Sequence, residues 1–385
     1  MRILHLMLSC FYIDNAGYQE NIIPKNNKSD GHDVQIIASI DIIRKDNKPG
    51  VTDASEYYNE DGIKVIRLPY KKVINHFISR KVRAYKGLAV AIERFSPDII
   101  LFHGACAWAL NDVVKYKRRH PQVMLYVDSH EDLNNSARGF FSKQILHQLF
   151  YKNILKYNLS QIDKILYITK ETYTFLNEFY KIPEEKLFFF PLGGTIPTDK
   201  TRNDARERIR KELKIESDEL VCIHSGKLDP LKRTIETIEG FNKAKSSKLK
   251  LIIIGSAQLH IKECIFDFEK KDSRISFLGW KTTNEIQDFL MAGDLYIQLG
   301  SQSATMQQAI CNGCAVALFP YDSHLFLLKD KAYYIKNANE LTDLLNDITK
   351  NRQEFSLKRK NLNNFAYRML DYKKISKLIY DKNNF

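Results

Sequence analysis

Short runs of Ile, Leu, Val, Phe and Tyr recur along the whole chain, separated by helix-length segments, and this alternation constrains the fold more than any other feature. A run that short is long enough for a strand buried on both faces, and the intervening segments are long enough for the helical crossovers that parallel strands require. In the first half the pattern predicts strands near Ile3–Leu8, Val34–Ala38, Val65–Leu68, Ile99–His103, Met124–Asp128, Ile165–Ile168 and Leu187–Leu192. The second half repeats it near Leu220–Ser225, Leu249–Ile254, Ile275–Leu278, Leu295–Leu299 and Val316–Phe319. Between the halves, Pro191 to Thr198 is dense in residues that stop regular structure. At 385 residues and 44% hydrophobic content, the chain can fill two cores. It reads as two α/β domains with a cleft between them.

The remaining composition narrows the function. Lys and Arg outnumber Asp and Glu by 59 to 46, a surplus spread over both halves that favours anionic partners. Nucleic acid is not expected, because no groove-reading or base-stacking module is visible. No apolar run reaches the 18 residues a membrane span requires. The start, Met1 to Phe11, resembles a short signal peptide, but His5 and Ser9 interrupt it and Asp14-Asn15 replaces the small-residue cleavage site, so it reads as a buried first strand. The six cysteines sit mostly in apolar runs, which suits reduced thiols in a cytosol. Cys311 and Cys314 are the one close pair; lacking a second pair at zinc spacing, they are expected to pack in the core.

In open α/β sheets ligands bind beyond the carboxyl ends of strands, so the loops there are where chemistry is sought. Gly17, Tyr18, Gln19 and Glu20 open a helix after the first strand; the glycine allows close backbone approach but fits an ordinary turn equally well. Asp128, His130 and Glu131 end the fifth strand of the first half, a plausible acid/base or hydroxyl-binding cluster, with a structural cap as the alternative. Gly226, Lys227 and Lys232 place cations at a strand-to-helix turn suited to a diphosphate, without the full P-loop pattern. Gln302, Ser303, Ala304, Thr305 and Gln308 run from a strand into a helix, with Ser303 as the expected N-cap and N–H groups from Ala304 onward facing a phosphate; a capped core helix is the alternative.

Together, the Gly17 loop followed by Gly31-His-Asp-Val34, Ser96-Pro-Asp-Ile-Ile-Leu-Phe-His103, the Gly226-Lys227/Lys232 turn and Gln308-Ala-Ile-Cys-Asn-Gly-Cys-Ala-Val316 resemble, in order, the landmarks of the GT-B glycosyltransferases of family 4, bacterial surface-glycan type. The resemblance implies two Rossmann-like domains facing a central cleft: residues 1–193 binding the acceptor, 194–367 binding a nucleotide-sugar, and 368–385 as a helix returning to the first domain. It implies sugar transfer from a nucleotide-diphosphate donor to a glycan or lipid-linked acceptor with retention, in surface polysaccharide synthesis. Lys227 and Lys232 take the places of the family's phosphate-binding cations, Gly279-Trp280 that of the nucleobase loop, and Gln308 that of a ribose ligand. His130 is placed beside the reacting sugar with Glu131 and Glu20, and Gly17, Tyr18, Gln19, Asn134, Asn135 and Ser136 on the acceptor side.

The chain departs from the family at its paired acids: Gly300 and Gln308 stand where two Glu residues separated by seven others are usual. That departure keeps a non-catalytic sugar-nucleotide or glycan-binding protein open, and a sugar-nucleotide epimerase or hydrolase on the same fold is a separate alternative. No Asp-x-Asp metal motif occurs, and transfer is expected to need neither metal nor cofactor. The base is not fixed by the sequence; UDP is the first choice.

Between Lys64 and Lys86 lie eight basic residues and no acid. Ile74, Phe77, Ile78, Val82, Tyr85, Leu88 and Ile92 keep helical spacing beside them, so a basic face is expected to flank an apolar one. Such a segment fits an anionic membrane surface on the cytoplasmic side, or a helix packed by its apolar stripe with solvated lysines.

Overall fold

The computed structural model describes residues 1–44, 48–73, 75–133, 136, 139 and 141–381. The chain forms two compact units, Met1–Pro191 with Tyr372–Phe385, and Leu192–Asp371.

The first unit contains β1 (Arg2–Met7), β2 (Asp33–Ser39), β3 (Asp41–Ile43), β4 (Pro49–Val51), β5 (Ser55–Tyr58), β6 (Lys64–Leu68), β7 (Ile99–His103), β8 (Met124–Ser129), β9 (Lys164–Tyr167) and β10 (Leu187–Phe189). Eight of these make one sheet in the order β10-β9-β8-β7-β1-β2-β6-β5, parallel except for the β5–β6 edge pair, while β3 and β4 form a separate antiparallel hairpin. The central strands are apolar because both faces are covered; all five residues of β7 are buried. The Leu110–Arg119 helix turns Leu110, Val113 and Val114 to the core, and ends on Lys117, Arg118 and Arg119 at the negative end of its dipole. Tyr372, Ile375 and Ile379 from the end of the chain pack with Ile3, Ile23, Ile99 and Leu101. That terminal segment is one α-helical turn, Tyr372–Ile375, followed by a 3₁₀ turn, Ser376–Ile379, rather than one continuous helix.

The second unit contains β11 (Leu220–Leu228), β12 (Leu249–Ala257), β13 (Ile275–Phe277), β14 (Leu295–Gln298), β15 (Ala315–Leu318) and β16 (Tyr333–Tyr334), in the order β13-β12-β11-β14-β15-β16. All of its pairings are parallel. Two apolar clusters cover its faces, one centred on Leu251 and Ile297, the other on Ile223 and Tyr296. Cys311 and Cys314 are buried there as free thiols that donate to the carbonyls of Leu370 and Leu290.

The continuous amphipathic helix expected around Lys64–Lys86 is not formed. Helix His76–Val82 stops at Arg83, which is left-handed at φ 55°, and a second helix, Leu88–Phe95, starts after Gly87 at φ 79°. Tyr85, Leu88 and Ile92 belong to the core, and the Tyr85 hydroxyl donates to the Leu8 carbonyl at 2.6 Å. Residue Ile74 lies outside the described residues. The helical spacing misled because only Tyr85, Leu88 and Ile92 of that stripe are buried, while Phe77 is exposed on a separate short helix.

Candidate functional site

Strand order tells where each sheet opens. In the first unit the connections run one way from β1 through β2 to β6 and the other way from β7 through β8 to β10, so the chain reverses between β1 and β7. In the second unit it reverses between β11 and β14. The crevice beyond the carboxyl ends at such a reversal is where open α/β sheets hold ligands.

At the first reversal lies a cavity of about 430 Å³. Ser9 and Cys10 line it from the loop after β1, His103, Gly104 and Cys106 from β7 and its loop, and Asp128, His130 and Glu131 from β8 and its loop. Gly104 is required at φ +89°: a Cβ would lie 2.5 Å from that of Ser9. Its N–H donates to Asp128 Oδ1 at 2.8 Å. Ser142, Leu146, His147 and Tyr151 close the cavity from the π-helical stretch Phe141–Tyr151, a geometry frequent at functional sites.

A buried polar chain leads into the cavity, and its protons can be assigned bond by bond. Asn27 Nδ2 donates to the Ser376 carbonyl at 3.2 Å, so Asn27 Oδ1 accepts from His5 Nε2 at 3.0 Å. Burial, then neighbouring His103, lowers the His5 pKa to about 3, leaving it neutral with a bare Nδ1. That nitrogen accepts from His103 Nε2 at 3.1 Å. His103 Nδ1 then stands 2.5 Å from Asp128 Oδ2, though not aligned as a hydrogen bond. Burial alone would raise the Asp128 pKa; His103 and His130 outweigh it and hold the carboxyl well below the usual range.

His130 Nε2 is 3.7 Å from Asp128 Oδ1 and 3.8 Å from Glu20 Oε1. Burial opposes its charge, but Asp128, then Glu20 and Glu131, prevail and raise its pKa to about 9. His130 is therefore an imidazolium at neutral pH, a charged donor rather than a base. Glu131 Oε2 accepts from Ser129 Oγ at 2.7 Å and from the His130 N–H at 3.2 Å.

The structure thus brings together Glu20, His130, Glu131 and Ser136 around one cavity. Gly17, Tyr18 and Gln19 do not line it. The left-handed residue of their turn is Asn15 (φ 59°), not Gly17; Tyr18 is exposed, and Gln19 is buried with Nε2 donating to the Pro191 carbonyl at 3.5 Å. Asn134 and Asn135 lie outside the described residues.

At the reversal of the second unit, the β11 and β14 loops interlock. Lys232 is 3% exposed and donates to the Ser301 carbonyl at 3.1 Å. Burial lowers its pKa to about 8, against a partial opposing pull from Asp229. Gly226, at φ +137°, leaves room for it: a Cβ there would meet Lys232 Cε at 2.7 Å. Gly300 is just as constrained, because its Cβ would lie 2.2 Å from the Leu231 carbonyl oxygen and 2.4 Å from Lys232 backbone atoms. No side chain fits at position 300 unless the loop moves. Lys227 is exposed at the end of β11.

The expected Ser303 cap is shifted. The helix is Thr305–Cys311 with Ala304 at the cap position, while Ser303 Oγ accepts from the Thr305 N–H at 3.3 Å and donates to Thr305 Oγ1 at 3.0 Å. Gln302 Nε2 donates to Ser323 Oγ at 2.9 Å, and Gln308 is half-buried in the helix. Gly279 is left-handed at φ 67°, its carbonyl accepts from the Gly255 N–H at 2.8 Å, and the Trp280 side chain beside it is 65% exposed.

Solved structures match this architecture over the whole chain. HepE of Anabaena, solved in complex with UDP, superposes with a TM-score of 0.67 at 13% identity, covering 98% of both chains. The fold is GT-B. A glycosyltransferase from Rickettsia africae gives a TM-score of 0.67 at 16% identity over 99% of both chains. WaaG, a glycosyltransferase involved in lipopolysaccharide biosynthesis, gives 0.60 at 14% identity over 98% of this chain and 99% of its own. No protein-family model and no curated protein matches the chain by sequence.

Sequence reasoning missed His5, Asn27, His103 and Arg83. The strand-end rule that singled out Asp128 applies equally to His103, the last residue of β7. His5 and Asn27 carry no local signal.

Proposed function

We propose that the chain is a glycosyltransferase that moves a sugar from a nucleotide-diphosphate donor, UDP first, to a hydroxyl of a glycan or lipid-linked acceptor in bacterial surface polysaccharide synthesis, with retention. The observation that carries the reading is a buried lysine at the reversal point of one GT-B unit paired with a carboxylate–imidazolium cavity at that of the other. On this reading Lys232 and Lys227 offset the charge of the donor diphosphate, the Ser303–Thr305 loop and Gln308 hold phosphate and ribose, and Gly279-Trp280 receives the base. His130, charged at neutral pH, donates to the donor sugar or the leaving oxygen. Glu20, 3.8 Å from it, accepts from the acceptor hydroxyl. These cations supply the charge stabilisation of the leaving diphosphate, so transfer is metal-independent in the proposal.

A second reading, a non-catalytic sugar-nucleotide-binding protein, is favoured by Gly300 and Gln308 at the two positions where the family's acids are expected. One experiment separates the two. Thermal shifts are measured with UDP, GDP, ADP, CMP and dTDP and their common sugars, with and without magnesium, followed by product analysis with the best donor. A metal-independent shift with turnover supports transfer; a shift without turnover toward any glycan or lipid-linked acceptor supports the second reading; no shift at all refutes both.

Peripheral membrane attachment is part of the proposal. Among the described residues no helix is long and apolar enough to cross a membrane. Val73 and Phe77 are exposed next to exposed Lys72 and Lys81, whereas Lys71 is paired with Asp112 and Arg80 with Asp41. Failure to co-sediment with anionic vesicles at low salt would remove this element.

A further inference from the structure

Beside the 430 Å³ cavity of the first unit lies a second, of about 260 Å³, and four residues line both: Ser9, Cys10, Lys81 and Arg83. Arg83 is the notable one. It holds a left-handed backbone, φ 55° and ψ 51°, at the C-terminus of helix His76–Val82, a position where glycine or asparagine is the unstrained choice. Its side chain donates through Nη1 to Ser9 Oγ and to the Cys106 carbonyl, each at 2.7 Å. Among the described residues no carboxylate pairs with it; Glu131 acts on it only at a distance. Lys81 is likewise without a carboxylate, its ammonium lying 5.7 Å from the centre of the Phe77 ring. The third cation of this wall, Arg80, is already neutralised by Asp41 at 3.2 Å. A partly buried guanidinium held in a strained conformation, with neutral oxygens as its partners and further N–H groups available, is short of one anion.

We propose that Arg83 and Lys81 form a subsite for a phosphate group carried by the acceptor. The inference rests on the reading of the first-unit cavity as the acceptor side. A guanidinium presents a planar fork to two phosphate oxygens and the lysine adds a movable charge, so a phosphate monoester or diester fits the pair. The reacting hydroxyl then lies toward Glu20 and His130 in the larger cavity. Phe11, Tyr70 and Phe77 line the smaller one and give the group attached to the phosphate an apolar wall.

The test is calorimetric titration of the full chain, saturated with UDP so that the donor site is filled, with inorganic phosphate, glucose 1-phosphate and dodecyl phosphate below its micelle concentration. The expected result is binding of at least one organic phosphate, weakened about tenfold or more in Arg83→Gln. Arg83→Gln also removes two internal hydrogen bonds, so Lys81→Gln, at an exposed side chain without such bonds, is measured beside it with an expected loss of severalfold. Tighter binding of dodecyl phosphate assigns the group to a lipid carrier, tighter binding of glucose 1-phosphate to a soluble sugar. Unchanged affinity in both variants, or no phosphate binding to the UDP-saturated protein, overturns the subsite. A fall in UDP affinity in Arg83→Gln also overturns it, by moving Arg83 to the donor. Absence of UDP binding to the unaltered protein refutes instead the transferase reading on which the inference stands.

Discussion

Replacing Lys232 with methionine is expected to stabilise the second unit while abolishing nucleotide binding. The amine is 3% exposed, and burial has lowered its pKa from 10.5 to about 8. That gap corresponds to about 3 kcal/mol of preference for the neutral form. The sign follows from linkage: between pH 8 and 10.5 the unfolded chain holds the proton and the folded chain does not, so stability rises with pH across that window. Below pH 8 both states are charged and the folded state carries the full penalty. Methionine has a similar length and no charge, and it forfeits one hydrogen bond to the Ser301 carbonyl, worth about 1 kcal/mol. The net gain at pH 7 is about 2 kcal/mol, which for a unit of this size is roughly 4–8 °C in melting temperature. Calorimetric melts at pH 7 and pH 10 read it directly: the variant melts higher at pH 7, and the gap shrinks toward pH 10. A variant that melts at or below the unaltered protein at pH 7, or a gap that does not move with pH, refutes the buried-charge account. The same account requires UDP affinity to be flat below pH 8 and to fall above it, because only the charged amine meets the diphosphate.

Further outcomes are expected at three positions, Asp128, Gly300 and His130. The His130 pKa stands above its unfolded value of 6.5, so its contribution to stability is full below pH 6.5 and is lost as pH rises through about 9; in Asp128→Asn the His130 ring titration, followed by NMR, moves down by at least a unit and this slope flattens. Asp128→Asn also removes the buried carboxylate that faces His103 Nδ1 and accepts from the Gly104 N–H, and urea denaturation is expected to show a loss of about 1–3 kcal/mol. Gly300→Ala places a Cβ 2.2 Å from the Leu231 carbonyl oxygen and is expected to lower stability to urea by about 1–3 kcal/mol. Gly300→Glu should then fail to raise turnover, so a gain in activity would show that the loop accepts the family's acid after all. His130→Ala is expected to spare UDP binding in thermal-shift measurements and abolish transfer; equal loss of both would make the residue structural.

What the sequence makes legible here follows from the range of the interaction concerned. Every strand of the two central sheets except the edge strand β5 and the two-residue β16 is visible as an apolar run, because burial on both faces writes itself into consecutive residues. Strand β5 reads Ser-Glu-Tyr-Tyr and lies at an edge, where one side faces water and the signal fades. Asp128 and His130 are legible because they end a strand. Their charge states are not, since that of Asp128 depends on His103, 25 residues earlier, and that of His130 on Glu20 from the helix after β1 as well as on Asp128. The left-handed Arg83 and the closed space at Gly300 are likewise invisible in one dimension: the first contradicts local propensity, and the second is set by the backbone of Leu231 and Lys232. Gly300 lies in the loop after β14 at one reversal point and Arg83 lines the cavity at the other, where a chain departs from local preference when surrounding structure over-determines it.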